Sequence, residues 1–174
     1  MIILHKPVAG ATERSLSAFI AKAKRAIGLR GSVSVLLTNN RELRALNRQF
    51  RRKDTPTDVL SFPSEVVGAR RFMGDIAISV EIAAKNAKRL KHSTADEVEI
   101  LILHGLLHLA GYDHETDHGE MARTEEALRG KLKLPVGLIA RNESTLSHRT
   151  GSSNWRPLRT ATTTRERATP RRTR

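Results

Sequence analysis

A single domain built from both strands and helices is what this sequence predicts, and three observations lead there. Short β-branched or alternating runs, such as residues 32–38 and 72–80, are interleaved with segments whose apolar residues recur at helical spacing. One longer segment, residues 94–110, is apolar nearly all the way round from Val98 to Leu109, the pattern of a helix buried in a core. With 174 residues the chain is long enough to bury that core unaided, and zero cysteines leave it no disulfides to lean on.

Taken in order, residues 1–4 form a short strand and 7–10 a turn. Thr12 then caps a helix whose Leu16, Phe19, Ile20, Ala23 and Ile27 lie on one face and which ends near Gly28. Residues 32–38 are β-branched and apolar enough for a strand. Asn39 or Asn40 caps a second helix carrying Leu43, Leu46 and Phe50. Pro56 pushes the residue before it towards extended backbone, so 58–62 reads as a strand, 63–71 as the loop of a hairpin and 72–80 as its second strand. A short helix follows to about Lys91. Ser93 or Thr94 starts the apolar helix, with Asp96 and Glu97 in its first turn where carboxylates suit the helix dipole. A last amphipathic helix runs from about His118 to Leu132 with Met121, Leu128 and Leu132 on its apolar face, and Pro135 closes the folded region.

The domain is expected over residues 1–146. From Ser147 the composition turns to Arg, Thr, Ser and Pro, with Trp155 and Leu158 the only sizeable apolar groups. Residues 147–174 are therefore expected to be a disordered basic tail, able to touch RNA or merely to solubilise. Nine arginines against two glutamates in residues 141–174 account for +7 of the +13 net charge, leaving +6 for residues 1–140. That balance, with the basic run Arg51-Arg52-Lys53, suits a polyanionic partner, although a solvated charged surface explains charge alone equally well. No run has signal-peptide or membrane-span length, and together with the missing cysteines this fits a soluble, cytoplasmic protein.

Chemistry concentrates in His104-Gly105-Leu106-Leu107-His108-Leu109-Ala110-Gly111-Tyr112-Asp113-His114. On a helix, the step from His104 to His108 puts two imidazoles on one face with Cβ atoms about 6 Å apart, near enough to share one ion. Gly111 can take the left-handed backbone that ends a helix and turns His114 back towards them. Three imidazoles with an open fourth position is the pattern of catalytic zinc, whereas structural zinc is closed by four protein ligands, usually including cysteine. A single histidine on an apolar helix is as easily a packed core residue. Four of the chain's seven within fifteen residues, three at ligand spacing, are much harder to read that way.

The spacing is that of the extended metalloprotease motif His-Glu-x-x-His-x-x-Gly-x-x-His, except that Gly105 stands where those enzymes keep their general base. The eleven residues instead resemble the signature of the YbeY family, bacterial metal-dependent endoribonucleases and ribosomal RNA maturation factors. A second stretch is similar to another signature of that family: Leu46-Asn47-Arg48-Gln49-Phe50-Arg51-Arg52-Lys53-Asp54-Thr55-Pro56-Thr57-Asp58-Val59-Leu60-Ser61-Phe62-Pro63. Gly74-Asp75-Ile76 is a third, shorter match. The resemblance covers roughly residues 30–135.

That resemblance implies an α+β fold, a small mixed sheet with packed helices and a three-histidine metal site at the end of the buried helix. It implies one zinc ion per chain on His104, His108 and His114, and hydrolysis of single-stranded RNA with Arg51 as the catalytic arginine on the scissile phosphate. Arg52 and Lys53 are expected to bind RNA. The implied partners are ribosomal RNA and the small ribosomal subunit, in maturation of the 16S 3′ end and ribosome quality control; neither DNA nor a membrane is implied. Asp75, Asp113 and His118 are proton-transfer candidates by chemistry alone, and Asp113 is equally a candidate partner for a ligand histidine. Two rivals stand beside this reading: a non-catalytic ribosome-assembly factor with a structural zinc, and a degenerate metalloprotease.

Overall fold

Helix starts are written into short polar side chains. Thr12 accepts the Ser15 N–H on its hydroxyl at 3.1 Å, while the Ser15 hydroxyl accepts the Thr12 N–H at 2.9 Å. Ser93 and Asp96 make the same reciprocal pair at 3.0 and 3.2 Å. The computed structural model describes residues 1–64, 72–114 and 116–135. Its elements are β1 (Ile2–Leu4), α1 (Glu13–Ile27), β2 (Ser32–Thr38), α2 (Asn40–Arg51), β3 (Val59–Pro63), β4 (Phe72–Ser79), α3 (Val80–Leu90), α4 (Thr94–Leu109) and α5 (Glu120–Leu132). The expected tail over 147–174 and most of the expected 63–71 loop lie outside the described residues.

The four strands form one mixed sheet in the order β1-β2-β4-β3. β1 and β2 run parallel, as do β2 and β4, and β3 closes one edge antiparallel to β4. Side chains alternate between its faces. Val33, Val35 and Leu37 of β2 and Ile76 and Ile78 of β4 join α1, α4 and α5 in the main core, whereas Leu60 and Ala77 pack with Leu43 of α2 on the other face. The fold is α+β, with the three histidines at the far end of the buried α4.

α4 is held from all sides. Leu101, Ile102, Leu106 and Leu107 are inaccessible, and each such side chain is worth about 1.5–3 kcal/mol relative to leaving it in water. Gly105 allows the helix to lie close on the sheet, because a Cβ there would sit 2.9 Å from both Cγ2 and Cδ1 of the fully buried Ile76. A side chain at this position would have to displace Ile76 or push α4 off β4.

Two of the boundaries that differ from the sequence expectation have a visible cause. The last helix begins at Glu120 rather than 118, because the Asp117 carboxylate accepts the N–H groups of Gly119 at 2.7 Å and Met121 at 2.8 Å, holding a turn in place. β3 begins at Val59 rather than 58, where the Asp58 carboxylate takes the Val59 N–H at 3.0 Å. No helix among the described residues is long and apolar enough to cross a membrane.

Candidate metal centre

His104 and His108 stand one turn apart near the C-terminal end of α4, the first 4 % exposed and the second half-buried. Ala110 caps the helix, Gly111 follows with φ +94°, and the chain folds back to bring the exposed His114 over both rings. Ring centroids are 4.8, 5.1 and 5.2 Å apart, and one nitrogen from each ring lies within 4.8 Å of the others.

Hydrogen bonds on the far side of two rings fix where their protons are. The backbone carbonyl of Tyr112 can only accept, so His108 Nδ1, 3.0 Å away, carries the hydrogen. The Glu125 carboxylate receives His104 Nδ1 at 3.0 Å in the same way. A ring that is neutral with its hydrogen on Nδ1 has its lone pair on Nε2, and these two nitrogens face one another at 3.1 Å. Two lone pairs repel at that distance unless a cation sits between them, and two imidazoles on one zinc ion are separated by roughly 3.3 Å. The donor set therefore fits a divalent metal. Burial, together with the neighbouring His104 and His114, pushes the His108 pKa down to about 4, so near neutral pH this ring could take a metal without first losing a proton.

The histidines line a cleft of about 490 Å3 with Arg51, Thr57, Asp58, Ser61 and Asp113. Arg51 occupies the last turn of α2. The loop beyond it is tied back by the buried Asn47 amide, which donates to the Thr55 carbonyl at 2.7 Å, and by the Arg44–Asp54 pair at 2.9 and 2.8 Å. Arg52 and Lys53 are exposed and outside the lining; Arg52 caps α2 with φ 57°. Of the proton-transfer candidates only Asp113 lines the cleft. Asp75 projects from the opposite face of β4 beside Leu46 and Phe50, and the exposed His118 is likewise outside the lining.

A family model described as endoribonuclease YbeY matches residues 5–133. The chain belongs to the endoribonuclease YbeY family. Two YbeY relatives named endoribonuclease give the scale: that of Koribacter versatilis is 59 % identical over 141 residues, spanning 81 % of this chain and 91 % of its own. The Nautilia profundicola relative is 52 % identical over 111 residues, 64 % of this chain and 79 % of its own. The solution structure of a Thermotoga maritima protein superposes with a TM-score of 0.53 at 27 % identity, over 88 % of this chain and 97 % of that one. The matched YbeY region contains both signature stretches and all three histidines.

Glu125 was not singled out from the sequence, although a signal exists. Met121, Glu125, Leu128 and Leu132 share one helical face, and all four are buried, so a carboxylate sits in an apolar stripe and calls for a partner. The contact suggests a way to test its work. Glu125→Ala should weaken the affinity for a divalent metal by about 10- to 100-fold in competition with a chromogenic chelator, as loss of a histidine's outer partner does. Glu125→Gln, which keeps an acceptor for His104 Nδ1, should recover part of that loss.

Proposed function

We propose that this protein is a zinc-dependent endoribonuclease that cuts single-stranded RNA hydrolytically and serves ribosomal RNA maturation on the small subunit, at the 3′ end of its 16S RNA. What supports the reading is that three histidines within ligand distance of one another and Arg51 line one open cleft in a chain of the YbeY family. His104, His108 and His114 would hold the ion. Zinc in a three-imidazole site supplies a water acidified to a pKa of about 7 and a positive charge for phosphate oxygen.

The remaining work falls to the chain's own groups. Glu125 and the Tyr112 carbonyl keep the Nδ1 protons of His104 and His108 in place, so both Nε2 lone pairs stay aimed at one point. Arg51 would take two oxygens of the scissile phosphate in parallel hydrogen bonds and stabilise the charge that builds there. Asp113, inside the cleft, is the better-placed of the carboxylates considered for moving a proton. Arg52 and Lys53, on the exposed continuation of the same loop, would hold the RNA backbone.

Gly105 weighs against proteolysis. A glutamate base there would have to occupy the space of Ile76. Incubation with labelled single-stranded RNA, duplex RNA and casein separates the classes: the single strand alone should be cut, and digestion of casein without cleavage of RNA would replace this reading by the protease.

The functional domain is proposed as residues 1–146, with 147–174 as an accessory basic tail. Deleting that tail should leave the melting temperature unchanged and weaken RNA binding, with a shallower dependence on salt because fewer phosphates are neutralised. A large fall in melting temperature would instead give Trp155 and Leu158 a place in the core.

A further inference from the structure

We propose that the hollow between the end of α1 and the start of β4 is a subsite for one nucleobase of the RNA strand, next to the phosphate that is cut; the inference rests on the endoribonuclease reading above. The hollow holds about 400 Å3, within the usual size of small-molecule sites. Its floor is apolar, from Ile27, Leu29, Met73 and Leu109, and Phe72 and Arg30 also line it. Tyr112 lines both this hollow and the cleft of the three histidines, so the two adjoin at this residue. A strand with a phosphate beside the histidines can therefore reach the hollow with its neighbouring nucleotide.

The aromatic residues point to what the hollow takes. The chain has only six, four Phe, one Tyr and one Trp. Phe19 is in the core, and Phe50 packs edge-on against Phe62 with ring centroids 5.0 Å apart. Phe72 is 37 % exposed and, like Phe50, belongs to neither core cluster, but among the described residues it makes no ring contact. A partly exposed aromatic side chain beside an apolar lining offers a group on which any base can stack.

Arg30 adds the second half of a nucleotide site. It is exposed, and among the described residues it makes no ion pair or hydrogen bond. A guanidinium without an acid partner is available to a phosphate or to the face of a base. The other apolar hollow, around Phe50 and Phe62, lies on the opposite face of the sheet and shares no residue with the histidine cleft. Continuity with the cleft therefore singles out the Phe72 side. Because every base has a π face, the subsite demands that a base be present while tolerating its identity.

The test uses a short single-stranded RNA with 2-aminopurine moved one position at a time across the cleavage bond. It is mixed with zinc-loaded protein, and fluorescence is read before cleavage. Stacking on Phe72 should quench one flanking position, Phe72→Ala should abolish that quench, and Phe72→Trp should restore it. An abasic residue at the same position should raise KM roughly tenfold, the effect of losing one base stack. Phe72→Ala should add little to the abasic effect, since both remove the same contact. Arg30→Ala should weaken binding and flatten its salt dependence.

Equal quenching at every position, or a Phe72→Ala variant that cleaves and quenches like the parent, would overturn the subsite and leave the endoribonuclease reading intact. A Phe72→Ala variant that melts earlier with its quench unchanged would make Phe72 a packing residue and overturn it too. A zinc-loaded parent that cuts no single-stranded RNA overturns the endoribonuclease reading, and the subsite with it.

Discussion

Arg51→Lys should keep its charge and its zinc and still cut a short single-stranded RNA about 100-fold more slowly in single-turnover reactions at matched metal occupancy. Lysine presents a point charge, whereas the guanidinium holds two phosphate oxygens in one plane, and removing one well-aimed donor to a developing oxyanion costs about 10²–10³ in rate. Arg51 has the position for this. It lines the histidine cleft from the last turn of α2, and the loop after it is anchored by Asn47. A contact made mainly in the transition state lowers kcat, while a positioning contact raises KM, so the two constants separate the roles. Arg52→Ala and Lys53→Ala should act chiefly on KM, by an amount that shrinks as salt is added. An Arg51→Lys variant as fast as the parent would make Arg51 an ordinary surface charge.

Alanine in place of His104, His108 and His114 together should abolish zinc binding, and the single variants should divide by burial. His114 is exposed on the loop after α4, so His114→Ala should lose metal and cleavage while the metal-free protein melts as before. His104 is buried and bonded to Glu125, so His104→Ala should also destabilise the metal-free protein by about 1–3 kcal/mol, the cost of taking a hydrogen bond from a buried carboxylate. A non-catalytic assembly factor with a structural zinc predicts otherwise: its His114→Ala defect would follow thermal stability alone. Full metal occupancy in the triple variant would remove the site.

What could be read in the sequence follows how local the cause is. The His104–His108 pair needs only helical spacing, and the return of His114 needs only the positive φ of Gly111, so both were legible within eleven residues. Arg51 was legible through its signature stretch alone, since nothing in its spacing relates it to histidines more than fifty positions later. Glu125 left a trace as a carboxylate in an apolar stripe; the Tyr112 carbonyl left none, because a backbone acceptor has no identity in sequence. Asp75 alternates with Ile76, which faces the main core, so its exclusion from the cleft follows from strand parity once it is known which face of the sheet carries α4. The reason for Gly105 is tertiary: it is the space taken by Ile76, a contact between residues 29 positions apart.

Elemental analysis of the purified protein, paired with cleavage of one labelled single-stranded RNA before and after chelation, bears most directly on the zinc-dependent cleavage proposed here. The predicted result is about one zinc per chain, cleavage that stops when the metal is removed, and cleavage that returns when one equivalent of zinc is restored. Undiminished cleavage by protein shown to be metal-free would contradict it.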